Sequence, residues 1–283
     1  MKIGLFNVSN QELVDELAKE FTLINLDTDM ENPQAIFFDW IPNEARFKSP
    51  LLEKQNLLVE KCYVRKIPML VFDRHLGITP EEYRMFKKAG SILFEPALDF
   101  RPDFIYLPFS IKMKDKQSLA INPENEKRKY SLVCNGFLDD KILSFEKYVL
   151  PHHKIYGNTA YCCIINKAKE KEYFDYGLSN LKDVKFADAK CALILGSTRD
   201  YKVGYLDQTF FDALKSNCIP LLPSENRYYN LYNITKPFQI PFYYRAYNIS
   251  HFGFILELYE RIEEYYPEMT VEYTVYMLKY CLK

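Results

Sequence analysis

The chain has 283 residues, of which 48% are hydrophobic, 16% aromatic and 27% charged. That is enough for one large domain or two smaller ones, and it is not the composition of a disordered or collagen-like chain. Thirty-seven basic residues against thirty-eight acidic ones leave a net charge of -1, which is not the balance of a protein that coats nucleic acid non-specifically. A nucleic-acid site here must come from local charge placement.

No apolar run approaches the roughly 18–20 residues that span a bilayer. The opening MKIGLFNVSN has neither the long apolar core nor the cleavage site of a secretion signal. A cytoplasmic location without membrane association is expected. The seven cysteines form no C-x-x-C pair and lack a His cluster, so they read as reduced thiols, with no metal site.

In chain order, residues 2–7 read as an apolar strand. Ser9 or Asn10 can cap a helix whose Leu13, Leu17 and Phe21 recur at helical spacing. Extended segments follow at 23–26 and 34–39, a helix at 51–62, and a buried strand at 68–72 that ends at Asp73. A helix at 80–89 and strands at 91–94 and 104–107 close this half. Residues 112–129 are polar and carry six basic against three acidic residues; they read as a linker, with a basic edge for a polyanion as the functional alternative.

Alternation then resumes. A strand at 130–134 leads into an Asn135-Gly136 turn, a helix fits 140–148, and a strand at 154–156 ends in Gly157-Asn158. A strand at 191–195 is followed by a polar loop, a helix at 206–216, a strand at 218–222, and aromatic-rich helices at 251–266 and 271–282. Strands alternating with helices predict parallel sheets with right-handed crossovers, hence two Rossmann-like α/β domains.

The sequence has no P-loop, no G-x-G-x-x-G after the first strand, no G-x-S-x-G elbow and no H-E-x-x-H. Gly136, Gly157, Gly177 and Gly196 fall at predicted strand ends or in loops, where a backbone N–H can approach a phosphate or sugar. His152 and His153 are adjacent and make a poor metal pair on a strand. Asp27-Thr28-Asp29 reads as a turn. Aromatic residues at 228–247 read as core or interface packing, with base or sugar stacking as the alternative.

The most specific stretch is 191–224, CALILGSTRDYKVGYLDQTFFDALKSNCIPLLPS. It resembles the donor-nucleotide region of the GT-B glycosyltransferases, whose two Rossmann-like domains face a central cleft. In that family an acidic helix residue accepts from both ribose hydroxyls of a nucleotide sugar, and Asp212 matches it. The helix N-terminus around Gly204–Gln208, with Tyr205, then faces the diphosphate.

The MKI strand, VFDRHL, NGF, IYGN, DYGLSN and CALILG run in the same order as in the T-even phage DNA β-glucosyltransferases, which the chain as a whole resembles. The resemblance implies an inverting transfer of a hexose, expected to be glucose, from a UDP-sugar to the hydroxymethyl group of a modified pyrimidine in duplex DNA. A phage-encoded enzyme of this kind would work as a monomer in the host cytoplasm.

It implies an acceptor domain at 1–111, a linker at 112–129, a nucleotide-sugar domain at 130–265 and a final helix at 266–283 returning to the first domain. Asp73 becomes the catalytic base, with Asp39 as its rival. Asn135, Gly136, Phe137, Lys141, Gly157, Asn158, Gly177, Leu178, Gly196, Tyr205 and Asp212 become the UDP-sugar site. Arg65, Lys66, Arg74 and His75 become the DNA contacts.

The sequence departs from that family after the NGF turn, where Leu138-Asp139-Asp140-Lys141 stands in place of arginines. It departs again at Thr209, the family's arginine position before the ribose carboxylate. Lys141, Arg199 or Lys202 is then left to neutralise the diphosphate, with Mg²⁺ as an optional aid. A surface glycan or protein acceptor is the second reading, and nucleotide-sugar binding without turnover the third.

Overall fold

Short apolar segments rich in Ile, Leu, Val and Phe, separated by amphipathic helical stretches, build the first sheet. These are β1 (Lys2–Phe6), α1 (Gln11–Leu17), β2 (Thr22–Asn25), β3 (Ala35–Asp39), α2 (Leu52–Arg65), β4 (Met69–Phe72), α3 (Pro80–Lys88), β5 (Ile92–Glu95) and β6 (Phe104–Tyr106). The computed structural model describes residues 1–28, 32–43, 50–114, 128–137, 146–148, 159–164, 185–223, 225–226 and 251–283, with backbone alone at 135–137, 159–164 and 251–254. The chain divides into two units, Met1–Lys112 with Glu268–Lys283, and Met113–Pro267.

In the first unit the strand order is β2-β1-β3-β4-β5-β6, and every pairing is parallel. From β1 the chain steps outward to β2, then returns past β1 to β3 and winds the other way. The winding therefore reverses between β1 and β3. In open parallel sheets, ligands gather outside the carboxyl ends of the strands at such a reversal.

β3 and β4 are buried along their whole length. One core packs Phe6, Phe38, Trp40, Val71, Phe86 and Leu93 together, with Trp40 edge-on to Phe86 at 4.9 Å. α3 begins with a full capping box, Thr79 with Glu82, and Pro80 in its first turn. α2 ends where Lys66 takes the left-handed conformation at φ 56°.

The fully buried Gln55 of α2 acts as a backbone surrogate. Its amide accepts from the Ile41 N–H and donates to the Ile41 carbonyl, both at 2.9 Å. The Trp40 N–H donates to Phe72 O at 2.9 Å. The three residues from Asp39 onward are thus held from both sides.

The second unit contains β7 (Tyr130–Phe137), β8 (Thr159–Ile164), β9 (Ala189–Leu193), α4 (Thr198–Val203), α5 (Gln208–Lys215), β10 (Ile219–Leu221) and α6 (His251–Tyr265). Its described strands are ordered β10-β9-β7-β8 and are all parallel. The last helix, α7 (Val271–Cys281), belongs to the first unit and packs on α1. Ile111 N–H donates to Met269 O at 2.9 Å, and Val271 N–H to Ile111 O at 3.2 Å. Among the described residues no helix is long and apolar enough to cross a membrane.

Three expectations change. The Asn135-Gly136 turn is strand: Asn135, Gly136 and Phe137 pair with Cys162, Cys163 and Ile164 of β8, so β7 runs on beyond its pairing with β9, whose last partner on β7 is Val133. The polar loop after β9 contains α4, which Ser197 and Asp200 start with a capping box and Gly204 ends in the left-handed conformation. The basic stretch 112–129 is partly spent inside its own unit. Lys114 Nζ donates to Lys215 O at 2.7 Å, and Arg128 donates to Ser216 O, Phe186 O and Ala189 O. Cations on the last carbonyls of α5 satisfy groups the helix cannot.

Gly4 lies in β1 between both neighbouring strands, and an added Cβ would stand 2.4 Å from Leu26 Cδ1 and 3.1 Å from Pro33 Cγ. Gly4→Ala is therefore expected to destabilise the fold by about 1–3 kcal/mol through overpacking, read as a lower urea midpoint.

Candidate functional site

Three adjacent strands of the first unit end in acids at the carboxyl edge. Asp39 closes β3, Asp73 follows β4 and Glu95 closes β5, and all three are buried. A buried carboxylate needs a cation or several N–H donors. Within ion-pair reach, the described residues supply two arginines.

Arg101 serves two of the acids. It reaches Asp73 at 2.5 Å and Glu95 at 2.8 Å, donates to Ile78 O at 3.0 Å, and its guanidinium lies 3.9 Å above the Phe104 ring. Asp73, 0% exposed, also accepts the Gly77 N–H at 2.8 Å and the Ile78 N–H at 2.9 Å. Its carboxylate is the centre of the 73–78 turn, in which Leu76 takes a left-handed φ of 53°. The sequence reading makes Asp73 the base; the geometry makes both of its oxygens structural acceptors.

Asp39 stands differently. It is 3% exposed and pairs with Arg74 through one oxygen, Oδ2. Among the described residues Oδ1 has no hydrogen-bond partner. Burial is the largest influence on its acidity and raises its pKa to about 7; Arg74 pulls against that rise and the nearby Asp73 charge adds to it. Burial likewise raises Glu95.

Asn7, at φ 58° after β1, donates its side-chain N–H to Asp39 O at 3.0 Å, while its backbone N–H donates to Asp27 Oδ1 at 2.8 Å. Asp39 thus occupies the place where the winding reverses, between the ends of β1 and β3. Strand order, which a single sequence does not reveal, is what sets it apart from Asp73.

The basic residues assigned to one acceptor surface separate. Arg74 is at the carboxyl edge, 22% exposed on its side chain, held by Asp39, by Ser9 Oγ at 3.3 Å and over the Phe109 ring at 5.6 Å. His75 is exposed beside it. Arg65 and Lys66 lie before β4, at the opposite, amino edge of the parallel sheet, where Arg65 donates to Asn32 Oδ1 at 2.8 Å.

In the second unit, Gly196 follows β9, but its N–H donates to Tyr201 Oη at 2.9 Å, and a Cβ there would meet the Tyr201 ring at 2.8 Å. Its glycine identity answers to packing. Asp207 caps α5, accepting the Thr209 N–H at 2.9 Å, so a carboxylate already occupies the helix end that the sequence reading set against a diphosphate. Asp212 lies on α5 one turn past Gln208, which donates to it at 3.1 Å. Tyr205 sits between α4 and α5, its N–H on Asp200 O at 2.9 Å.

Asn135, Gly136 and Phe137 are strand residues of β7. Lys141, Gly157, Asn158, Gly177 and Leu178, with His152, His153, Asp29, the 154–156 strand and the aromatics at 228–247, lie outside the described residues. Among the described residues no group of three His, Cys, Asp or Glu side chains is placed to hold a metal ion.

No protein-family model matches the chain, and no curated protein does. Several solved structures are similar. An S. aureus MnaA–UDP co-structure has 11% identity and a TM-score of 0.47, over 99% of this chain and 96% of that one. The UDP-GlcNAc 2-epimerase from Neisseria meningitidis bound to UDP-GlcNAc has 9% identity and 0.42, over 100% and 99%. A Thermobaculum terrenum O-GlcNAc transferase K341M mutant has 9% and 0.45, over 100% of this chain and 66% of that one. The α/β architecture rests on the strand order above.

If Asp73 is a structural acceptor, Asp73→Asn turns one oxygen into an N–H group facing Arg101 and a backbone N–H. The substitution is expected to cost about 2–4 kcal/mol in chemical denaturation. A stability unchanged from wild type would return Asp73 to the role of base.

Proposed function

We propose that the chain is a UDP-sugar-dependent glycosyltransferase of the GT-B kind, and that Asp39 takes the acceptor's proton. The observation that carries this is a buried carboxyl poised near neutrality at the winding reversal of the first sheet. A general base works best with a pKa close to the working pH. The acceptor oxygen attacks the anomeric carbon, the bond from that carbon to the UDP oxygen breaks with its electron pair leaving on UDP, and the proton passes to Asp39. Attack opposite the leaving group inverts the configuration. Asp73 in this reading positions the turn that carries Arg74 and His75.

The second unit takes the nucleotide. Asp212 receives the ribose hydroxyls, and Arg199 or Lys202 of α4, or Lys141, offsets the charge that grows on the leaving diphosphate. Tyr205 and the segments around Gly157-Asn158 and Gly177-Leu178 complete the donor site. UDP-glucose is the first donor to test, with and without Mg²⁺.

Resemblance to the phage DNA β-glucosyltransferases makes the hydroxymethyl group of a modified pyrimidine the first acceptor. One observation favours the second reading, a glycan or protein: Lys112, Lys114 and Arg128 of the basic stretch are engaged within their own units.

The test is label transfer from a panel of UDP-hexoses to two duplexes, one with and one without 5-hydroxymethylpyrimidines. Label is expected on the modified duplex alone. Its rate should climb with pH through about 7 and level off above it, because the base must be ionised, and Asp39→Asn should lower it by about 10²–10⁴-fold. Donor consumption without label on either duplex moves the acceptor to a glycan or protein. A chain that neither binds nor consumes any UDP-sugar overturns the proposal.

A further inference from the structure

We propose that the outer face of α2 is a contact between two copies of the chain, which pair with their α2 helices side by side and parallel. The inference concerns the first unit alone and does not rest on the transfer reading.

α2 turns Gln55, Leu58, Val59 and Cys62 into the core. At about 100° per residue, Leu57 and Val64 come to the opposite side of the helix. Leu57 is 61% exposed and Val64 73%. Apart from the N-terminal Met1 they are the only large aliphatic side chains in the open among the described residues, and the exposed Tyr63 flanks them. A solvent-facing valine does nothing for its own helix, because β-branching lowers helix propensity. Standing seven residues apart, the two side chains form one apolar stripe.

The charges beside the stripe repeat with it. α2 reads Glu53-Lys54-Gln55-Asn56-Leu57 and, seven residues on, Glu60-Lys61-Cys62-Tyr63-Val64. Both glutamates lie about 50° to one side of the stripe and both lysines about 50° to the other. Glu53 and Glu60 are exposed and Lys61 is half-buried. Lys54, also half-buried, donates to Asp27 O at 2.9 Å.

This arrangement is complementary to itself in one direction. When two parallel helices are related by a two-fold axis along them, the left flank of each meets the right flank of the other. Glu60 then faces Lys61 of the second copy on both sides of the seam, and Glu53 faces Lys54 in the same way. Leu57 packs on Leu57 and Val64 on Val64. An antiparallel pair would set glutamate flank against glutamate flank and lysine against lysine. Charge therefore selects the parallel pair, and the same patch on both copies gives a closed dimer.

Two heptads of one helix bury less than the roughly 1,200 Å² at the low end of standard interfaces. The dimer is accordingly weak and reversible, with a Kd on the order of 10–100 µM. It departs from the monomer that the resemblance to the phage enzymes implies.

Sedimentation equilibrium of the full chain between about 1 and 300 µM, a range that brackets this Kd, tests the proposal. A monomer passing to a dimer with rising concentration is expected. Leu57→Glu should remove the dimer from that range. Glu60→Lys and Lys61→Glu should each weaken self-association about tenfold, since two attractive pairs become repulsive. An equimolar mixture of these two variants should regain wild-type affinity, as should the double exchange Glu60→Lys with Lys61→Glu in one chain. The substituted side chains face away from the core, so the urea midpoint of each variant should match wild type and separate a lost contact from a lost fold.

A chain that stays monomeric throughout the range overturns the contact. So does a dimer indifferent to Leu57→Glu or to the single charge reversals, or a mixture of the two reversed chains that associates no better than either alone.

Discussion

Charge neutralisation along one sheet edge is the constraint on which the first unit depends. Parallel pairing brings every strand's carboxyl end to the same edge, and three neighbouring strands deliver Asp39, Asp73 and Glu95 there, all buried. Two arginines are in reach of three acids. Arg101 is shared by Asp73 and Glu95, and two backbone N–H groups make up the difference at Asp73. Asp39 has Arg74 and little else, so the shortage appears there as a carboxyl that holds its proton to about pH 7.

The surrounding structure keeps Asp39 in that position. Gln55 clasps Ile41 by both backbone groups, Trp40 is bonded to Phe72 and packed on Phe86, and Asn7 reaches across from β1 to the Asp39 carbonyl. Each contact fixes backbone and leaves Oδ1 unused. A carboxylate fixed in place with one oxygen free of hydrogen bonds among the described residues is suited to the proton transfer proposed for it, because its geometry need not be organised again when substrate arrives.

Much of the fold was legible in the sequence. Apolar runs such as QAIFFD and PMLVF marked strands, the helix expected at 80–89 stands as α3, and regular alternation gave the parallel α/β class. The misreadings have physical causes. Asn135-Gly136 carries the strongest short turn signal, yet β8 pairs with it and holds it extended. The strand 159–164, TAYCCI, has the aromatic and apolar content of a strand, but it follows directly on Gly157-Asn158, whose turn signal masks it in the sequence. Lys114 and Arg128 looked like a polyanion edge because a sequence does not show that helix carbonyls will claim them. The choice of base is a separate matter: the VFDRHL setting puts Asp73 first, and Asp39 is proposed in its place on strand order and on the two N–H donors at Gly77 and Ile78, which a sequence does not show.

The claim most in need of a direct reading is that Asp39 is the carboxyl at this edge that changes protonation near neutrality. Difference infrared spectroscopy of the carboxyl C=O band across pH, in wild type, Asp39→Asn and Asp73→Asn proteins, reads this without any substrate. A protonated-carboxyl band is expected to disappear with a midpoint close to 7 in wild type, to be absent from Asp39→Asn and to persist in a folded Asp73→Asn protein. A band that titrates unchanged in Asp39→Asn, or that vanishes only with Asp73, would contradict it.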